Sequence, residues 1–205
     1  MRIDLSDQKV AITGAANGLG RAITQSFIQV GCRVLALDSD KDALAELSSM
    51  SPERIDSATV DVADFEALEA LAKTYSIDHL VCAAACGSGK TGFPFWTIQP
   101  HEWQRVIDVT LMGTVNATQA FAPSLLQSNV PSKSVLLITS VAGQIGSQTD
   151  PPYSASKAAV ISFAQIAAKD FAAHGVRVNA LSPGMVKTDL SRSFYNASQD
   201  ATDLT

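Results

Sequence analysis

A chain of 205 residues, 46% hydrophobic and 17% charged, can bury one sizeable core and is too apolar to be disordered over most of its length. Its formal net charge of -5, with no cluster of Lys or Arg, argues against a polyanion-binding surface, so nucleic acid is not an expected partner. No stretch is long enough to span a membrane, and the N-terminal Met1 to Ser6 carries no apolar signal core; a cytoplasmic protein without membrane association is the expectation.

Short β-branched runs alternate with longer helical patterns along the whole chain. Strands are predicted over Lys9–Thr13, Arg33–Asp38, Ser57–Asp61, His79–Ala83, Ser134–Ser140 and Arg177–Leu181. Between them, Gly20–Val30, Asp42–Ser48, Phe65–Tyr75, Gln104–Leu126 and Tyr153–Ala173 place apolar residues at three- and four-residue spacing, as helices on both faces of a buried sheet do. This pattern predicts an α/β fold of the doubly wound Rossmann type, a parallel sheet with helices on both faces, in a single domain over 1–205. The irregular stretches 86–100, 141–152 and 184–205 follow the carboxyl ends of strands, where open α/β sheets bind ligands, and are the expected substrate loops.

The first strand runs into Thr13-Gly14-Ala15-Ala16-Asn17-Gly18-Leu19-Gly20 and then directly into helix. Gly14 permits a tight exit from the strand, Gly18 lets the backbone approach a pyrophosphate, and Gly20 lets the helix pack closely with its N-terminal dipole toward the anion. Asp38 ends the second strand, where a carboxylate accepts hydrogen bonds from an adenosine ribose and repels a 2'-phosphate. No basic residue lies in the turn or just after Asp38, which favours NAD(H) over NADP(H).

Tyr153 and Lys157, four residues apart at the start of a helix, share a face. An ammonium close to a phenol favours the phenolate, which is expected to lower the tyrosine toward useful proton exchange. Ser140 ends the fifth strand, at the sheet edge where a nicotinamide would lie, and its hydroxyl can orient a substrate oxygen.

With Thr-Gly-x3-Gly-x-Gly, the strand-terminal serine and Tyr-x3-Lys together, the chain resembles the short-chain dehydrogenase/reductase family over nearly its whole length. The resemblance implies an NAD-dependent enzyme acting on secondary alcohols or ketones, with Ser140 positioning substrate, Tyr153 exchanging the proton, and Lys157 also binding the nicotinamide ribose. It further implies that Asn17, Leu19, Asp61, Val62 and Ala84 border the coenzyme, and that Pro183, Gly184, Val186 and Thr188 turn beneath the nicotinamide. A homodimer or homotetramer is expected from the apolar circumference of the two long helices.

The sequence departs from the family pattern at three places. Cys82-Ala83-Ala84-Ala85 replaces the usual Asn-Asn-Ala-Gly after the fourth strand, so amide hydrogen bonds there must be replaced from elsewhere. Thr110 stands where the family has an asparagine that holds a proton-relay water, so Thr110 is the fourth expected catalytic residue, with a weakened relay. The family's lid, final helix and seventh strand have no counterpart before Thr205; the sixth strand is expected to be an open edge, and the sequence to be a piece of a longer chain. The alternative these departures favour is a catalytically silent NAD-binding regulatory or structural protein.

Two further motifs point nowhere. Ala84 to Thr91 approximates a nucleoside triphosphate phosphate loop but lacks its first glycine and the helix that must follow, which leaves Lys90 as a solvated loop residue. Cys32, Cys82 and Cys86 read as reduced thiols, and no second ligand pair completes a metal site.

Overall fold

The computed structural model describes residues 4–90, 94–146, 150–186 and 188. Six parallel strands form one sheet in the order β3-β2-β1-β4-β5-β6, with β1 at Lys9–Thr13, β2 at Arg33–Asp38, β3 at Ile55–Thr59, β4 at His79–Cys82, β5 at Lys133–Ile138 and β6 at Val176–Leu181. The order reverses between β1 and β4, so a crevice opens at their carboxyl ends. The expected doubly wound sheet is therefore present.

Alternation along the strands sorts two apolar layers. Val10, Ile12, Val34, Ala36, Val81 and Ile138 face helices α1 (Gly18–Gln29) and α2 (Lys41–Ser49). Ala11, Leu35, Leu37, Leu80, Val135 and Leu137 face α3 (Phe65–Thr74), α5 (Gly113–Gln127) and α7 (Pro151–Ala172), with Phe121, Leu125 and Val160 fully buried between. Burial on both sides explains why these strands read as continuous apolar runs. Two helix starts are specified locally: Asp40 and Asp64 accept hydrogen bonds from Ala43 N and Ala67 N, each at 3.0 Å, as N-caps of α2 and α3.

Several predicted elements differ, among them β5, which stops at Ile138, two residues short of the expected Ser140. β3 lies two residues earlier than the expected Ser57–Asp61, because its register is set by pairing Val34 with Ile55 and Asp38 with Thr59, while only Ile55 of its own five residues is buried. The expected helix Gln104–Leu126 is three pieces: α4 (Pro100–Ile107), a π-helical turn Asp108–Met112, and α5. The π turn inserts an extra residue where Gly113 packs against Val62 so closely that a Cβ would lie 2.4 Å from Val62 Cγ2. A short helix, α6 (Ala142–Ile145), stands in the expected loop 141–152.

β6 is the edge strand among the described residues, and Leu181 is 51% exposed. No described helix is long and apolar enough to cross a membrane.

Candidate active site

The crevice holds a cavity of about 850 Å³. All of the predicted coenzyme residues line it: Gly14, Asn17, Gly18, Leu19, Gly20, Asp38, Asp61, Val62, Ala84, Tyr153, Lys157, Pro183, Gly184, Val186 and Thr188. Ser140 lines it too, and Thr110 does not.

At one end lies the β1–α1 turn. Gly14 has φ +66° and presses on the β4 exit, where a Cβ would meet Ala84 Cα at 2.7 Å; a Cβ on Gly20 would lie 1.9 Å from Gly14 O. No side chain caps the start of α1 and its first turn holds no acidic residue, so its leading amides and dipole are open toward the cavity. These features fit a pyrophosphate. The Asp38 carboxylate accepts hydrogen bonds from Ala16 N at 2.9 Å and Asp40 N at 3.0 Å, which fixes it beside that turn with acceptor capacity remaining. The nearby Arg21 is engaged with Glu46 at 2.6 Å.

The third strand's exit supplies Asp61 and Val62. Asp61 accepts from Ala63 N and pairs with Arg105 of α4 at 3.0 Å; the Ala63 amide chiefly, and Arg105 with it, hold its carboxyl below the usual range. Arg105 also lines the cavity, and sequence reasoning missed it because only the fold brings α4 to the end of β3.

At the other end, Ser140 follows β5 and Tyr153 and Lys157 stand on the first turns of α7. Ser140 Oγ accepts from Ala142 N at 3.1 Å, and both it and the Tyr153 side chain line the cavity. Lys157 is 2% exposed, its Nζ donates to Ile138 O at 2.6 Å and lies 5.6 Å from the centre of the Tyr153 ring. Burial lowers Lys157 to about 8. The Tyr153 phenol is raised, by burial first and by Asp150 in addition, with Ser140 opposing. The expected lowering of Tyr153 by Lys157 is thus not found: the ammonium is directed at a strand carbonyl, and desolvation of the phenolate dominates.

Thr110 also behaves differently from its expected relay position. It is fully buried, and its hydroxyl accepts from Cys86 N and donates to Cys86 O, each at 3.3 Å. Its own carbonyl accepts from the Thr114 hydroxyl at 2.9 Å. Thr110 therefore fastens the chain leaving β4. Thr13 Oγ1 accepts from Ala84 N at 3.4 Å, and Cys82 Sγ lies 3.9 Å from Thr118 Oγ1, so hydroxyls anchor the strand where the family pattern has amides.

Lys90, read as solvated, instead pairs with Glu102 at 2.7 Å, and the next described helical residues are the single 3-10 turn Phe95–Thr97. The three cysteines are free thiols, with Cys82 pushed up to about 12 by burial, and the described residues contain no metal-binding cluster. Gly92, Phe93, Leu190, Phe194 and Tyr195, expected among the substrate walls, lie outside the described residues.

The family model for short chain dehydrogenases matches residues 8–199. This chain belongs to the short-chain dehydrogenase/reductase family. It is 33% identical over 188 residues to the 3-oxoacyl-(acyl-carrier-protein) reductase of Thermotoga maritima, covering 88% of this chain and 74% of that protein. Human (3R)-3-hydroxyacyl-CoA dehydrogenase is 32% identical over 195 residues, covering 88% of this chain and 74% of that one. Among solved structures, a 3-oxoacyl-(acyl-carrier protein) reductase from Brucella melitensis with bound NAD superimposes with a TM-score of 0.85 at 30% identity, covering 97% of this chain and 78% of that chain. Carveol dehydrogenase from Mycobacterium avium in complex with NAD gives 0.85 at 28% identity, covering 91% and 74%. As a short-chain dehydrogenase/reductase, the protein falls among oxidoreductases that act on CH–OH groups.

Proposed function

We propose that the protein is an NAD(H)-dependent dehydrogenase/reductase that interconverts a secondary alcohol and a ketone of moderate size, as one domain with substrate loops at 86–100, 141–152 and 184–205. One observation carries this reading: Ser140, Tyr153 and Lys157 meet at one end of the cavity whose other end holds the uncapped start of α1 and the Asp38 carboxylate. A bound nicotinamide supplies or accepts the hydride.

The chain's own groups handle position and proton. The start of α1 would hold the pyrophosphate, Asp38 the adenosine ribose hydroxyls, and Val62 and Asp61 the adenine. Asp38 favours NAD(H), since a 2'-phosphate would be placed against a carboxylate fixed by two backbone amides. In reduction, Ser140 would orient the carbonyl oxygen and Tyr153 would give it a proton. In oxidation the phenolate recovers that proton. Lys157, charged below a pH of about 8, would bind the nicotinamide ribose.

Apolar side chains of Val141, Ile145 and Met185 at the cavity mouth suit an uncharged substrate body, and the partners are this small molecule and further copies of the chain in a dimer or tetramer. The test follows NAD+ reduction by absorbance over a panel of secondary alcohols. Tyr153→Phe should lose about 100-fold or more of kcat, the usual range for an acid–base group. No turnover on any alcohol, or equal turnover in the variant, would favour a silent NAD-binding protein.

A further inference from the structure

The carboxylate of Asp61 is held from two sides at the cavity wall. Its Oδ1 accepts from Ala63 N at 3.0 Å, and its Oδ2 accepts from Arg105 Nη1 at 3.0 Å. The backbone around it is fixed as well: Asp61 O accepts from Asp64 N at 3.0 Å, Val60 N donates to Asp38 O at 2.9 Å, and Asn116 Nδ2 donates to Val62 O at 3.0 Å. Val60, Val62 and Val109 are buried and line the same cavity as Asp61 and Arg105, so apolar surface adjoins a fixed carboxylate where the chain leaves β3. The ion pair itself is open, with the Arg105 and Asp61 side chains 59% and 41% exposed, and a pair so solvated adds little to stability. Its effect falls on the cavity rather than on the fold.

We propose that Arg105 is a positioning residue for coenzyme selectivity: by holding Asp61 Oδ2 it fixes that carboxylate as the acceptor for the exocyclic amine of adenine, and so selects against a purine with a carbonyl at the same ring position. This rests on the reading of the cavity as an NAD(H) site with Asp61 at the adenine. An ionised carboxylate carries acceptors only, and each Asp61 oxygen, after its one bond to Ala63 or Arg105, keeps a lone pair for a ligand. Adenine presents a donating amine there. Hypoxanthine presents an oxygen, which sets acceptor against acceptor. That mismatch costs most when the carboxylate cannot turn away. Without Arg105, only the Ala63 amide restrains it, and a half-exposed carboxylate is free to swing toward water.

The experiment measures binding of NAD+ and of nicotinamide hypoxanthine dinucleotide to the whole protein by calorimetry, with no turnover required. The wild type should prefer NAD+ by about tenfold or more, the discrimination expected of one well-made base contact. In Arg105→Ala, and in Arg105→Gln, which keeps much of the length and removes the charge, the ratio should fall toward one, chiefly through weaker NAD+ binding. Arg105→Lys, which returns a cation to the same place, should recover part of the preference. Asp61→Asn, whose amide can donate to a carbonyl, should abolish it. A merely structural effect of these substitutions would weaken both dinucleotides alike and leave the ratio standing. Binding of NAD+ with a ratio unchanged in both Arg105→Ala and Arg105→Gln overturns the proposal and leaves the coenzyme reading in place. A wild type that binds neither dinucleotide rejects the coenzyme reading, and the proposal falls with it.

Discussion

Replacing Thr110 by valine keeps the side-chain shape and removes one hydroxyl that makes two hydrogen bonds with the Cys86 backbone, each at 3.3 Å. Thr110 is fully buried, so no water replaces the lost partner on its side. Each amide or carbonyl left without a partner costs about 1–3 kcal/mol when fully buried, and Cys86 is half-buried with long bonds, which places both at the low end. The sum is about 2 kcal/mol, or a fall in melting temperature of about 4 to 8 °C for a chain of this length. The loosened segment includes Ala84 beside the coenzyme cavity, so NAD+ affinity should fall by less than about tenfold. Differential scanning calorimetry and equilibrium NAD+ titration measure the two effects. A melting temperature within about 1 °C of the wild type would refute the latch and return Thr110 to a role in proton transfer.

Gly20→Ala sets a methyl 1.9 Å from Gly14 O and should abolish NAD+ binding by calorimetry while the sheet persists by circular dichroism; retained affinity would show that the turn can yield. Asp38→Asn should raise the NADP+ to NAD+ ratio of kcat/KM by about tenfold through loss of one full charge, and an unchanged ratio would remove Asp38 as the discriminator. His79 is 5% exposed between Gln8 Oε1 at 2.7 Å and Ser134 Oγ at 2.9 Å, and burial lowers it from the ordinary value. Because the unfolded chain then takes up a proton before the folded one does, its contribution is neutral above a pH of about 6.5 and stability falls as pH drops below it. Urea midpoints should show that decline, and His79→Gln should flatten it; a parallel decline in the variant would place the effect elsewhere.

The sheet was legible because β-branched runs buried on both faces leave a plain signature, and β1 and β2 match their expected bounds residue for residue. β3 was misplaced because it lies at the sheet's edge, where its own side chains are mostly exposed and its limits come from Arg33–Asp38 across the ladder. The break in Gln104–Leu126 was hidden for a related reason: the close contact at its end, Gly113 on Val62, joins positions far apart in sequence.

In the site, positions set by backbone shape were readable, since a glycine whose Cβ would lie 2.7 Å from Ala84 Cα, or a serine two residues past β5, is positioned by the element that carries it. Residues whose work depends on the partner they find were not. A threonine in the place of a family asparagine looks like a deficit until its hydroxyl is seen holding both polar groups of Cys86. Asp150 left a trace, an Asp-Pro-Pro that reads as a helix start, yet nothing in that triplet indicates that the other oxygen spans to Ser88. Both cases involve the same segment, the chain leaving β4, where the family's amides are replaced. Its new ties come from three helices, at Thr110 in the π turn, Glu102 on α4 and Asp150 before α7. Where the family pattern is replaced, the anchorage of this segment therefore lies on the helices around the site, one of which carries Tyr153.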